Sequence, residues 1–312
     1  MSSRDTRAGL VGVGLAAAGA VAYGVATVIG RALAGSDVDS ATALGSRFAV
    51  AAVLLAVVLG LRGVPIRPLR GDWLPIVLLG AIGYMTESTL FYLSMGHGTA
   101  SACIMLFYAY PAVVTLIELS CRRIRSTGPT LLALALSTVG AVTVVAFGGE
   151  VAISTTGVVL ALAAATAYGL YLVVGKEFTR KTDAMCAACW VAAGAAGSSA
   201  ARGAITSSLQ YPSGHVLQLI AYGAVTAVAF SLTFAALSRI GASQTAVVMT
   251  LEAVSTVLLA ALLLDESISL GQACGGLAIV GAAVVIAWSR AAGSVADRRV
   301  ERRAGLAPAS AA

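Results

Sequence analysis

Residues 12–31 read GVGLAAAGAVAYGVATVIGR, and residues 157–176 read GVVLALAAATAYGLYLVVGK. Eleven of the twenty positions are identical at a constant offset of 145. Alanines match by chance in apolar sequence and carry little weight. The discriminating matches are Ala22-Tyr23-Gly24 with Ala167-Tyr168-Gly169, and Gly30-Arg31 with Gly175-Lys176. A second echo closes each half, where Val139-Gly140-Ala141 through Phe147 resembles Val280-Gly281-Ala282 through Trp288. The chain is therefore one apolar helical unit used twice.

Outward from the repeat, composition sets the class. The 312 residues are 59% hydrophobic and 11% charged, against about 25% charged in soluble domains. Apolar runs of about 20 residues read as membrane spans. Ten are visible, at 10–33, 41–61, 73–95, 100–120, 129–147, 157–175, 184–205, 216–237, 243–264 and 270–289. The expected fold is an all-α integral membrane protein of ten transmembrane helices, arranged as two inverted five-helix repeats around a central cavity. The first repeat is placed at 8–148 and the second at 156–290, with a disordered cytoplasmic tail at 291–312. The connections are too short for an extramembrane catalytic or nucleotide-binding domain.

Basic residues set the orientation. With the N-terminus inside, seventeen of the 20 Lys and Arg residues fall on the cytoplasmic side; Arg31, Arg47 and Arg202 are the exceptions. The expected location is the cell membrane, multi-pass, with both termini cytoplasmic. The positive net charge thus belongs to topology and gives no reason to expect a nucleic-acid partner. The start also resembles a signal peptide, with Ala32-Leu33-Ala34 as an A-x-A site. The second copy at 157–176 argues that span 1 is retained. Five spans per copy make the second copy enter from the opposite face. That inverted arrangement is common in secondary transporters, whose sites lie near the midplane between the repeats.

Several residues suit a pathway better than lipid. In span 3, Gly80, Gly83, Tyr84, Glu87, Phe91 and Ser94 share one helical face. Glu87 reads either as a pathway residue, capable of carrying a proton, or as a structural hydrogen-bonding partner. In span 4 the run Phe107-Tyr108-Ala109-Tyr110-Pro111 places a helix-breaking proline beside three aromatics, a cavity wall with a hinge at Pro111 or plain aromatic packing. Arg47 in span 2 reads as a cation facing the cavity, able to hold a carboxylate, or as a snorkelling side chain near Asp37 and Asp39. Span 9 gathers Gln244, Thr245, Glu252, Ser255 and Thr256, with Glu252 near its middle.

Other features read as structural. Glu118 and Arg122 form a favourable i,i+4 pair. Arg31 and Lys176 read as headgroup anchors. Cys186 and Cys189 form a CxxC within a span, best taken as packing residues. Small residues in spans 5 and 10, including the Gly271–Gly275 GxxxG, either pack the halves together or make a homodimer. No catalytic constellation, metal-ligand cluster or cofactor motif is visible.

Together these features resemble the drug/metabolite transporter superfamily, in particular its EamA-type members. Ala22-Tyr23-Gly24 and Ala167-Tyr168-Gly169, Arg47-Phe48 and Tyr110-Pro111 look like that family's motifs. Glu252 is followed by Ala253 where the family typically has proline, and Arg122-Arg123 stand where an acidic residue commonly ends helix 4; Glu266 fits that place in the second half. The resemblance implies a secondary carrier, not an enzyme, with the lipid bilayer and a small-molecule solute as its partners. The leading expectation is an exporter of small metabolites such as amino acids, working by alternating access with proton coupling. The alternative is a flippase for lipid or a lipid-linked intermediate. The expected substrate-binding residues are Tyr84, Glu87, Phe91, Tyr108, Tyr110, Gln244, Thr245, Glu252, Ser255 and Arg47.

Overall fold

The computed structural model describes residues 3–34, 38–68, 72–95, 97–98, 100–121, 127–147, 153–179, 181–206, 213–264 and 268–303. Its helices are α1 (Ser3–Ala34), α2 (Ser40–Leu61), α3 (Trp73–Leu78), a π-helical segment (Leu79–Tyr84), α4 (Met85–Met95), α5 (Ala100–Phe107), α6 (Tyr110–Ser120), α7 (Gly128–Ala146), α8 (Thr155–Phe178), α9 (Ala184–Ile205), α10 (Val216–Ile240), α11 (Ala242–Met249), α12 (Leu251–Leu264) and α13 (Leu270–Arg303). Three spans are interrupted: span 3 is α3, the π segment and α4; span 4 is α5 and α6; span 9 is α11 and α12. Among the described residues, eight helical spans are long and apolar enough to cross a membrane, and Tyr110–Ser120 and Leu270–Ile286 are shorter apolar helices.

Local chemistry explains where several helices start. The Ser154 hydroxyl accepts the Gly157 N–H (3.3 Å) ahead of α8, and Asp183 Oδ1 accepts the Met185 and Cys186 N–H groups (2.9 and 3.2 Å) ahead of α9. Both are N-caps that satisfy otherwise orphaned donors. Pro129 sits in the first turn of α7, where its missing N–H costs nothing.

Helix direction follows from the close approaches of glycines. Along α1, Gly12 lies against Ile240, Gly19 against Thr233 and Gly30 against the Tyr222 hydroxyl, so α1 and α10 run antiparallel. The face where α1 starts and α10 ends is called basal below; the opposite face is distal. Spans 3 and 7 meet backbone to backbone: a Cβ on Gly80 would strike the Val191 carbonyl, and one on Gly194 the Val77 carbonyl. Span 5 meets span 10 in the same manner, with Gly140 against the Gly275 carbonyl and Gly271 against the Phe147 ring. Close backbone approach is what small residues provide inside a bilayer. Of the two readings of the GxxxG stripe, the structure shows the first: it packs the two repeats together within one chain.

Other expectations change. The helix α13 continues to Arg303, where the sequence reading expects a disordered tail from residue 291. An established helix extends at little cost through Ala, Arg and Glu, which are good helix formers. Span 9 breaks at Thr250 without the family's proline. The Thr250 hydroxyl donates to the Val247 carbonyl (2.7 Å) and its N–H to that same carbonyl (3.3 Å), which tightens the turn and ends α11. Asp37, Arg122, Arg123 and Glu266, the side chain of Arg31, and residues 304–312 lie outside the described set.

The Cys186 and Cys189 thiols are buried and donate to the Ile66 and Ala52 carbonyls (3.3 and 3.5 Å), in keeping with packing roles. The main core is the aromatic centre of the bundle, with Phe48, Tyr84, Tyr110, Tyr171, Phe230 and Phe234 all buried.

Candidate functional site

Two helix breaks frame the centre. Pro111 stands at the start of α6, and the chain turns at Tyr108–Ala109. Proline supplies no N–H for the carbonyl one turn back, so α5 cannot run straight into α6. The break at Thr250 occupies the matching place in the second repeat. Aligning Phe107–Pro111 with Met249–Ala253 puts Tyr110 and Glu252 in equivalent positions, each just past its break. Paired discontinuous helices at corresponding points of two repeats are a structural pointer to a transporter's binding region.

Around these breaks lies a chain of rings. Tyr84 meets Phe48, Tyr171 and Phe230 edge-on at 5.3–5.5 Å. Tyr110 meets Tyr168 edge-on at 4.9 Å and Phe107 at 5.5 Å; Phe107 in turn contacts Phe91 at 5.1 Å. Tyr108 is buried with its ring 6.4 Å from that of Tyr110. Offset and edge-on geometries are the favourable ones for aromatic pairs. The Tyr110 hydroxyl donates to the Ala246 carbonyl (3.2 Å), joining span 4 to span 9. Tyr23 and Tyr168, the tyrosines of the two repeated Ala-Tyr-Gly motifs, are both part of this wall.

Above it, toward the distal face, lie three charged residues, two buried and one half-buried. Arg47 is 8% exposed. Its Nε donates to Thr226 Oγ1 (2.8 Å) and its Nη1 to the Tyr222 hydroxyl (2.9 Å), and its guanidinium lies over the Tyr222 and Phe48 rings at 4.6 and 5.2 Å. Glu87 is 8% exposed and accepts from the Ser88 hydroxyl (2.9 Å). Glu252 is half-buried and accepts from Thr27 Oγ1 (3.2 Å). The Arg47 charge acts on both carboxyls, and the two carboxyls act on each other. Among the described residues no carboxylate stands within ion-pair distance of Arg47, and its guanidinium is held by Tyr222 and Thr226 inside the bundle; Asp37, one of the two loop carboxylates considered for it, lies outside the described residues.

Burying Arg47 is costly. An Arg at the centre of a membrane helix costs roughly 2.5–3.5 kcal/mol on insertion scales, and Arg47, six residues into the span Thr42–Leu61, costs less than that. Cation–π contacts offset about 0.5–2 kcal/mol of that. Neutral hydroxyls solvate the group without neutralising it. A buried cation beside two carboxyls, none directly paired with another, can hold a carboxylate at one end of a ligand and an ammonium at the other.

Other expected residues fall elsewhere. Thr245 is fully buried near the basal end of α11, and its hydroxyl donates to the Gly241 carbonyl (2.6 Å). Gln244 is half-buried in the same turn. Ser255 donates to the Leu251 carbonyl (2.9 Å) and its Cβ fills the gap against Gly24 of α1. The break at Thr250 therefore divides span 9 between two regions. Tyr222, Thr226 and Thr27 were not singled out by sequence. The signal for the first pair was a Tyr and a Thr four residues apart in an apolar helix, hence on one face. The π segment just before Glu87 was also invisible; π turns often accompany functional sites.

The basal region carries its own cluster. Lys176 Nζ, on α8, pairs with Glu118 Oε1 on α6 at 3.1 Å, and Glu118 Oε2 accepts the Ser243 N–H of α11 at 2.9 Å. These contacts change one sequence expectation: Lys176 turns inward onto Glu118 instead of reaching headgroups. The expected pairing of Glu118 with Arg122 falls on a residue outside the described set. Among the described residues, no group of three His, Cys, Asp or Glu side chains could hold a metal ion.

Two repeats of five crossings, built around paired broken helices and a buried charge cluster, define the class as a multi-pass membrane transporter of small solutes. The chain belongs to the EamA-like transporter family, whose model matches residues 10–146 and again 155–288. A solved structure described as "Crystal structure of protein" superposes with a TM-score of 0.73 over 96% of this chain and 100% of that one, at 19% identity, which supports the fold. No curated protein matches the chain.

Proposed function

We propose that the protein is a secondary transporter that exports small zwitterionic metabolites, amino acids with apolar side chains being the best fit, by alternating access. The observation that carries this reading is the arrangement of Arg47, Glu87 and Glu252, charged groups near one another and bound only by neutral partners. Arg47 would take the substrate carboxylate. Glu252, on the broken span, and Glu87 would take the ammonium, and either would carry a coupling proton when the site is empty. The rings of Tyr84, Phe91, Tyr108 and Tyr110 would pack on the apolar side chain. The concentration of Lys and Arg in basal connections supports a cytoplasmic basal face in the cell membrane, and hence loading from the cytoplasm and release at the distal face. The lipid-flipping alternative has no observation of its own to favour it.

The test is efflux of radiolabelled amino acids from proteoliposomes under an imposed pH gradient. Efflux that the gradient accelerates, and that Glu87→Gln or Glu252→Gln uncouples from pH, supports the reading. Unchanged rate and pH dependence in both variants would remove proton coupling from the account.

A further inference from the structure

We infer that Glu118, Lys176 and the first turn of α11 form a gate, a charged latch that shuts the basal side of the pathway and must part in every transport cycle. The inference rests on the transport reading but not on which solute is carried.

The latch joins the two repeats. Glu118 belongs to the first; Lys176 and Ser243 belong to the second. Glu118 is 1% exposed, and both its oxygens are engaged. Beside it, Thr115 Oγ1 and Ser243 Oγ share a hydrogen bond of 2.8 Å. Gly241 makes the approach possible. Its φ of +81° turns the chain sharply between α10 and α11, a conformation glycine adopts without strain. A Cβ there would also stand 3.1 Å from Lys176 Nζ. The turn aims the α11 N-terminus at Glu118, so a carboxylate meets the positive end of a helix dipole.

Three features distinguish a gate from a fixed staple. First, α6 and α11 both lie on the basal side of the breaks at Tyr108–Ala109 and Thr250. Each can swing about its break while α5 and α12 stay in place. Second, the layer between latch and charge cluster is closed: Val114, Thr115, Ala246, Val247 and Met249 are all at most 1% exposed. On the other side of Glu252, by contrast, Thr256 and Val257 are half-buried, as are Ser88 to Phe91 on α4. A solute crossing between the repeats from the basal face must separate α6 from α11, which the latch holds together. Third, the Lys176 side chain is 26% exposed. Its ammonium can exchange Glu118 for water or a headgroup without being stranded, as a latch that opens requires.

The test reads accessibility and needs no substrate. Thr245→Cys, a near-isosteric change in the closed layer, is labelled in oriented vesicles with a membrane-impermeant maleimide added to one face at a time. Mass spectrometry reads position 245 separately from Cys103, Cys121, Cys186, Cys189 and Cys274. With the latch intact, labelling is slow from both faces. Adding Glu118→Gln should raise labelling from the basal face alone by about tenfold or more, the factor that a hydrogen bond to a charged group supplies. Lys176→Gln, which leaves Glu118 on the Ser243 N–H, should act in the same direction and stands in if the first variant does not fold. Basal labelling that stays unchanged in the folded variant, or that rises equally from both faces, overturns the gate.

Discussion

Two buried charge clusters sit in one bundle and are built in opposite ways. At the basal end, Glu118 is matched atom for atom by a lysine and a backbone N–H. Nearer the distal face, Arg47, Glu87 and Glu252 lie close together, yet each is held by hydroxyls and rings. A paired buried charge holds two elements together; breaking it by removing one partner costs about 3–5 kcal/mol. A buried charge with only neutral partners gains hydrogen bonds but no opposite charge to offset its desolvation, and what remains of its cost is justified by what it binds. The contrast assigns cohesion to one region and recognition to the other, and each assignment has a distinct experimental signature.

The largest effect expected is on stability. Glu118→Leu leaves the buried Ser243 N–H without its acceptor while the partly exposed Lys176 turns to water, so unfolding in detergent should become easier by about 1–3 kcal/mol. A variant as stable as the parent would remove the basal cluster's cohesive role. Next is Arg47→Leu. It should lower transport efficiency for a carboxylate-bearing solute by roughly 10–100-fold, the worth of charge-assisted hydrogen bonds, while leaving thermal stability unchanged or improved. Loss of stability without loss of transport would reverse the comparison.

Smaller effects sharpen it. Thr226→Val removes one acceptor from Arg47 without touching its charge. Transport should fall about tenfold or less, chiefly through weaker apparent affinity, in line with a single hydrogen bond to a charged group. Pro111→Ala should be the mildest. The break at Thr250 forms without proline, so the matching break in span 4 should survive in part, and transport should slow only a few-fold. Complete loss would make the two breaks unequal.

How much of this was legible beforehand follows from what sequence spacing can report. The repeat, the ten spans and the break at Pro111 are local patterns, and each was readable. Glu87, Glu252, Tyr84 and Tyr110 stood out because polar groups in apolar helices are conspicuous. Their partners did not. Tyr222 and Thr226 lie 175 and 179 residues from Arg47, and Lys176 lies 58 from Glu118. Spacing could offer Glu118 only a local neighbour, Arg122, and had no means of pointing to a helix of the other repeat. The break at Thr250 was hidden for a different reason: it arises from a threonine hydroxyl bonding its own helix, and threonine in a membrane helix is ordinary. Likewise, Thr245 shares a sequence face with Glu252 but falls on the other side of that break.

The most direct test of the central claim compares three solutes in the same proteoliposome efflux assay: an apolar amino acid, the amine made by removing its carboxyl group, and the acid made by removing its amino group. If the distal cluster reads both ends of a zwitterion, the amino acid is moved and the two half-molecules are moved poorly, and Arg47→Leu lowers the amino acid's efflux to their level. If the amine is moved as well as the amino acid, and Arg47→Leu changes neither, the cation at Arg47 recognises nothing and the account fails.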